Sequence, residues 1–319
     1  MKVSVIIPTY NSAQYIRKAV QSVFDQTYKD YEVIVVDDGS TDNTREIIKQ
    51  YEGRIKYFFQ ENKGSALARN QAIKLSQGEL IAFLDSDDTW LPHKLKTQMN
   101  YLSEHPDVAL IHSNISFMQD NQLISFKKAI AERHKGFSIF GELYLGNFIT
   151  TSTVVLSRDC LNSVGLFDED LRQGQDYDLW LRIAAKFRIG YQDIITTIYR
   201  IHDKNISKNA IRGKAHDLAI LKKINSMCPE LVNGIDIKKR EKRHFDINYS
   251  LGYRYFCQYD LNNARKYFLK ALHYNRFAIR PYIYIASSFW SKGTIDKIRS
   301  LKRKVISSID VTPTDIDKN

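Results

Sequence analysis

LIAFLDSDDTW, residues 80–90, is an apolar run from Leu80 to Leu84 that ends in three carboxylates within four residues: Asp85, Asp87 and Asp88. The run reads as a buried strand. Asp85 and Asp87 alternate around Ser86, so an extended backbone turns both to one side. A slight turn then swings Asp88 outward. Alone, the stretch also fits a solvated acidic turn, or the cap of a helix over 92–103.

Its neighbours decide between those readings. VSVIIP (3–8), YEVIVVDD (31–38), RIKYFF (54–59) and ELIAFLD (79–85) are short β-rich apolar runs, with helical patterns near 13–26, 42–51 and 64–75 between them. Ser12 and Thr41 or Asp42 are positioned to cap two of those helices. Strands alternating with helices predict an α/β fold, with a mostly parallel sheet covered on both faces. Ligands of such sheets sit beyond the carboxyl ends of the strands. Pro8-Thr9-Tyr10-Asn11, Asp37-Asp38-Gly39-Ser40 and Asp85-Ser86-Asp87-Asp88 fall at those ends. Each pair of carboxylates at close range is opposed by ~4 kcal/mol at an effective dielectric near 20. A hard divalent cation, Mg²⁺ or Mn²⁺, is the natural compensation, held by one or two carboxylates and by substrate phosphates.

Beyond 105 the pattern is less regular. Strands are predicted over 108–118, 151–157 and 194–202, a helix over 177–187, and helices from 209 to about 306. The expected domains are 1–210, catalytic and α/β, and 211–319, all-α. In the second, Leu251, Gly252, Tyr255, Ala264, Phe268 and Ala271 stand at tetratricopeptide-like spacing in a hairpin over about 245–278, with Arg276 where proline is expected.

The chain of 319 residues carries a net charge of +11, unevenly spread. Residues 1–207 hold 24 Lys+Arg against 26 Asp+Glu; residues 208–319 hold 23 against 10. The basic end fits a solvated helical face or contact with an anionic surface or polymer. KIRSLKRKVISSI (297–309) has the spacing of a helix lying on an anionic membrane, or of one packed on its own domain. No nucleic-acid recognition motif accompanies the charge. Three cysteines without metal or redox spacing, no signal-peptide pattern and no apolar run of membrane-crossing length predict a cytoplasmic protein, with a peripheral place on the inner face of the membrane left open.

VSVIIPTYN, VIVVDDGSTDNT, GSALARNQAI, ELIAFLDSDD and GQDYDLWLR occur in that order within 1–207. The set resembles the family 2 glycosyltransferases, enzymes of GT-A-type fold. The resemblance implies a nucleotide-diphosphate sugar donor, UDP-linked by preference, a saccharide or lipid-linked acceptor, a divalent cation and inversion at the anomeric carbon. Carried over, Pro8, Thr9 and Tyr10 line the base pocket. Asp38 accepts from the base, supported by Asp37, and Arg69 lies near the base or pyrophosphate. Asp85 reaches the ribose or metal, Asp87 is the direct metal ligand, and Asp88 assists. His202 approaches the metal or diphosphate, or is a surface loop residue. By its own composition the polar, basic stretch HDKNISKNAIRG (202–213) reads as a flap that would order over the donor phosphates. Asp176 is the base, although family members usually have Glu-Asp where this chain has Gln175-Asp176. Asp176 also fits a simple helix cap, and Trp180 either an acceptor platform or core. His112 and His134 read as structural.

Other classes fit less well. PTYNSAQ lacks the glycines of a dinucleotide-binding turn, and GSALARN lacks the Lys-Ser/Thr of a P-loop. A sugar nucleotidyltransferase is the enzyme alternative, without its glycine- and lysine-rich entry loop. A catalytically silent scaffold is the alternative from another class. The sugar and the acceptor are not legible.

Overall fold

The computed structural model describes residues 1–120, 122–124, 134, 136, 138–203, 205, 210–290 and 293. Two compact units divide the chain, the first ending at Asp236 and the second beginning at Ile237. The first therefore runs past the expected border at 210. Its last long helix, Ala210–Met227, buries Ile220, Leu221 and Ile224, and Lys223 Nζ lies 2.7 Å from the buried carboxylate of Asp178.

Among the described residues nine strands form one sheet: β1 (Val3–Thr9), β2 (Tyr31–Asp37), β3 (Lys56–Phe59), β4 (Leu80–Phe83), β5 (Thr89–Trp90), β6 (Val108–Gln119), β7 (Gln122–Ile124), β8 (Val155–Ser157) and β9 (Arg188–Ile201). Their order is β3-β2-β1-β4-β8-β6-β9-β5, with β7 beside β6. The first four pair in parallel, as the alternating strand and helix patterns require. Beyond β4 the sheet is mixed: β8 runs antiparallel to β4 and β6, β6 parallel to β9, and β5 antiparallel to β9.

β1 is buried throughout, so it carries apolar residues on both faces. Helix Ile16–Phe24 lays Ile16, Ala19, Val20 and Val23 into one core with Val5, Ile7, Val33 and Val35. Residues 151–157 depart from their expected strand. Thr151–Thr153 is a 3₁₀ turn, and only Val155–Ser157 joins the sheet. Thr153 closes the turn on its own side, its Oγ1 and N–H both donating to the Thr150 carbonyl. Here specific hydrogen bonds override the β preference of a Thr- and Val-rich run.

The second unit packs helices Ile237–Cys257, Leu261–Tyr274 and Ile279–Ser287. Gly252 meets the ring of Phe268 so closely that a Cβ there would sit 2.7 Å from it. A small residue facing a large one is what the sequence spacing called for. Asp260 accepts from the Asn263 N–H and caps the second of these helices. Residues 297–309 lie outside the described residues, as do 204 and 206–209 of the expected flap.

Candidate active site

Parallel strands bring the loops after β1 and β2 side by side, and their side chains tie them together. Asn11 Oδ1 accepts from the Thr41 and Asp42 N–H groups, and the Ser12 N–H donates to Thr44 Oγ1. Asp37 is buried and accepts from the Ser40 N–H at 2.8 Å and the Tyr57 hydroxyl at 2.9 Å. Asp38 holds the next loop, accepting from Gln60 Nε2, the Lys63 N–H and the Gly64 N–H. Its Oδ2 takes one of these donors, and a carboxylate oxygen has room for a second. Gly39, which follows Asp38, has φ +82°, and a Cβ there would meet the Asn62 nitrogen at 2.8 Å. Pro8 and Thr9 are buried, Thr9 Oγ1 without a hydrogen-bond partner among the described residues, while Tyr10 is half exposed.

The acidic turn after β4 splits its carboxylates. Asp85 pairs with Arg69 Nη2 at 2.6 Å. Asp87 Oδ2 lies 2.9 Å from His202 Nε2, and that imidazole stacks on Tyr15 at 4.9 Å between centroids. His202 thus meets the acids rather than the solvent. Burial, and then the charge of Asp85, raise the pKa of Asp87 above the usual carboxylate range. Asp88 departs from its expected outward direction. It is 1% exposed and turned into the protein. Ser152 Oγ donates to one of its oxygens at 2.6 Å and the Arg200 N–H to the other at 3.0 Å. Burial, then Asp87 and Asp85, push its pKa well up.

Helix Gln175–Ala184 is buried along its whole length except at Asp176. Asp176 Oδ2 accepts from Thr151 Oγ1 at 3.2 Å and Asn147 Nδ2 at 3.4 Å. Burial raises its pKa, while the nearby Arg69 draws it back. Gln175, in place of the expected acid, accepts from Ser65 Oγ at 2.9 Å and Arg69 Nη1 at 3.4 Å. Arg69 therefore joins the two acidic motifs. Asp178 is fully buried against Arg182 Nη2 at 2.8 Å and Lys223 Nζ at 2.7 Å. Trp180 is core, fully buried beside Phe83 and Phe167, each with ring centroids 6.3 Å away.

Among the described residues, no three His, Cys, Asp or Glu side chains converge in a ready-made cation cage. Mg²⁺ and Mn²⁺ sites completed by substrate phosphates do not require one. The donor set fits such an ion: two carboxylates, Asp85 and Asp87, with their charges in mutual opposition, and the imidazole of His202 beside them.

The residue-by-residue reading missed the supports. Ser152 accepts from the Asp85 N–H and donates to Asp88, while its carbonyl accepts from Trp90 Nε1. Buried Lys94 donates to Gln98, whose Nε2 donates to the Thr153 carbonyl. Arg200 Nε donates to the Asp87 carbonyl, and its guanidinium lies 5.4 Å from the Tyr15 ring centroid. Apart from the i,i+4 bond from Lys94 to Gln98, these are long-range contacts of ordinary residue types, and no local spacing marks them. His112 and His134, unpaired in the sequence reading, meet each other at 3.1 Å.

Residues 4–162 match the profile of the family described as Glycosyl transferase family 2. Over 214 residues the chain is 36% identical to TuaG of Bacillus subtilis, a glycosyltransferase assigned to teichuronic acid biosynthesis, covering 65% of this chain and 82% of that one. It is 34% identical over 214 residues to WfgD of Escherichia coli, a UDP-Glc:alpha-D-GlcNAc-diphosphoundecaprenol beta-1,3-glucosyltransferase, covering 66% and 81%. The mannosyltransferase PcManGT of Pyrobaculum calidifontis, solved with GDP-Man and Mn²⁺, superposes with a TM-score of 0.59 at 18% identity, covering 91% of this chain and 87% of that one. That last likeness is one of fold.

Proposed function

The chain belongs to glycosyltransferase family 2, and on that premise we propose that it moves a sugar from a nucleoside-diphosphate donor, with UDP as the nucleotide, to a hydroxyl of a saccharide or lipid-linked acceptor, with inversion, in the synthesis of a cell-surface polymer. One observation carries the reading. Arg69 reaches Asp85 with one nitrogen and Gln175, the neighbour of Asp176, with another, so a donor-side acid and a candidate base share one cleft at the strand ends. The relative WfgD supports UDP and a lipid-linked acceptor.

In this reading the loops after β1 and β2 hold the nucleoside, with Tyr10 at the mouth, Pro8 and Thr9 behind it, and Asp38, backed by Asp37, accepting from the base. Asp85 and Asp87, with His202 beside them, hold a divalent cation. A cation bound there supplies charge neutralisation and Lewis acidity to the diphosphate. Asp176 takes the proton of the acceptor hydroxyl as that oxygen bonds to the anomeric carbon. The bond from that carbon to the phosphate oxygen breaks, and its electron pair leaves with the nucleoside diphosphate. Thr151 and Asn147 hold Asp176 on the acceptor side.

A panel of nucleotide sugars, read by release of nucleoside diphosphate, tests this with Mn²⁺ or Mg²⁺ present. Asp87→Ala is expected to lose cation-dependent donor binding. Asp176→Asn is expected to bind donor and transfer roughly 10²–10⁴-fold more slowly. Normal transfer by both variants sinks the assignment.

A further inference from the structure

Among the described residues, an apolar face of the second unit is exposed. In helix Ile279–Ser287, Tyr284 and Ile285 pack inward with Phe268 and Phe256, as the core of the hairpin requires. The opposite stripe is also apolar. Ile279, Tyr282 and Ile283, at helical spacing i, i+3 and i+4, are 72%, 50% and 55% exposed. Phe277 before the helix and Phe289 after it are 80% and 74% exposed, and Trp290 follows. So much aromatic surface in so few residues marks a contact site.

The charge around this face selects its partner. Residues 261–290 contain Arg265, Lys266, Lys270, Arg276 and Arg280 and no acidic residue. Arg276 lies over the Phe277 ring at 5.0 Å and Arg265 over Phe289 at 4.9 Å, so cations and rings are interleaved. A second copy would set the cations Arg265, Arg276 and Arg280 of this face against like charges. Residues 294–319 of the chain, with six Lys+Arg and four Asp+Glu, also have the same sign as the face. Bulky apolar tips interleaved with cations, in a stretch of chain without acids, match the boundary of an anionic bilayer, where rings and aliphatic groups enter beneath the headgroups and the cations meet lipid phosphate.

We propose that the face formed by Phe277, Ile279, Tyr282, Ile283, Phe289 and Trp290, with Arg276 and Arg280, docks the protein on an anionic lipid surface. This extends the lipid-linked acceptor reading above but stands on the second unit alone.

The test is flotation of the full chain with vesicles of phosphatidylglycerol and phosphatidylcholine in equal parts, against vesicles of phosphatidylcholine alone. Three variants of the full chain are compared: Ile283→Ser with Phe289→Ser, Arg276→Gln with Arg280→Gln, and Lys302→Gln with Arg303→Gln and Lys304→Gln. The changed side chains at 276, 280, 283 and 289 are exposed, and unchanged thermal melting verifies that these variants fold. Binding is expected on the anionic vesicles only, and weakened by salt. It should fall about fivefold for each cation removed from the face, and at least as far with the apolar pair. Three results would overturn the proposal: no vesicle binding, binding lost only in the 302–304 variant, or self-association without lipid that the face variants abolish. Nucleoside diphosphate release, measured in parallel, separates this outcome from the enzymatic one. Inactivity with every donor alongside vesicle binding by this face would sink the transferase reading and leave the docking surface intact.

Discussion

Two Asp-x-Asp stretches of the first unit share a spacing and differ in fate. Asp85-Ser86-Asp87 follows a strand, and its two carboxylates meet the groups of one cleft, Arg69 for one and His202 for the other. Asp176-Tyr177-Asp178 opens a helix, where two residues are roughly 200° apart. Asp176 stays at the cleft with neutral donors, and Asp178 goes inward to Arg182 and Lys223. Asp88, beside the first pair, behaves like Asp178 in being buried, but it is satisfied by a hydroxyl and a backbone N–H instead of cations. Asp178, between two cations, braces the fold, whereas burial raises the pKa of Asp176, Asp87 and Asp88, which favours their protonated forms.

The comparison breaks most sharply at its buried end. Asp178→Asn should cost roughly 3–5 kcal/mol in urea unfolding, because Arg182 loses its counter-charge in the interior, while Lys223 keeps Asp168. Asp176→Asn should leave that stability almost unchanged, and equal losses would erase the distinction. Ser152→Ala leaves a buried oxygen of Asp88 without its donor. A loss of about 1–3 kcal/mol in stability is expected, together with a raised KM for the donor, since the same hydroxyl accepts from the Asp85 N–H. Gln175→Glu adds a charge beside Asp176 and draws on Arg69. Both effects disfavour the Asp176 carboxylate, so the acidic limb of the rate–pH profile should move to higher pH.

The smallest effect concerns the facing histidines. Burial lowers the pKa of His112, and that of His134 to about 4. Unfolded chains take up these protons near pH 6.5, and the folded protein only lower. Their contribution to stability is therefore complete above the unfolded value and is lost as pH falls from about 6.5 towards 4. The melting temperature should decline over that interval, and less steeply in His112→Gln with His134→Gln.

Much of this architecture was legible along the chain. Val3–Thr9, Tyr31–Asp37 and Leu80–Phe83 form the parallel strands their unbroken apolar runs require. The acids fall at their carboxyl ends because strand ends are local features. Thr151–Thr153 was misread as strand, since its turn is fixed by hydrogen bonds that the run of residues does not encode. The role of Ser152 was illegible for the same reason, its partners lying at Asp85, Asp88 and Trp90. Trp180, open between platform and core, was settled by Phe83 and Phe167 from other parts of the chain.

The sequence by itself determined the α/β order, the crowd of carboxylates at one sheet edge and the basic, acid-free stretch over 261–290. Apolar period and charge count are properties of neighbouring residues, so they survive without coordinates. Only the tertiary structure decided which carboxylates face the cleft and which brace the interior. The direction of Asp88 is set by Ser152, 64 residues away, and Arg200, 112 residues away, and donors that distant meet an acid only when the chain has folded.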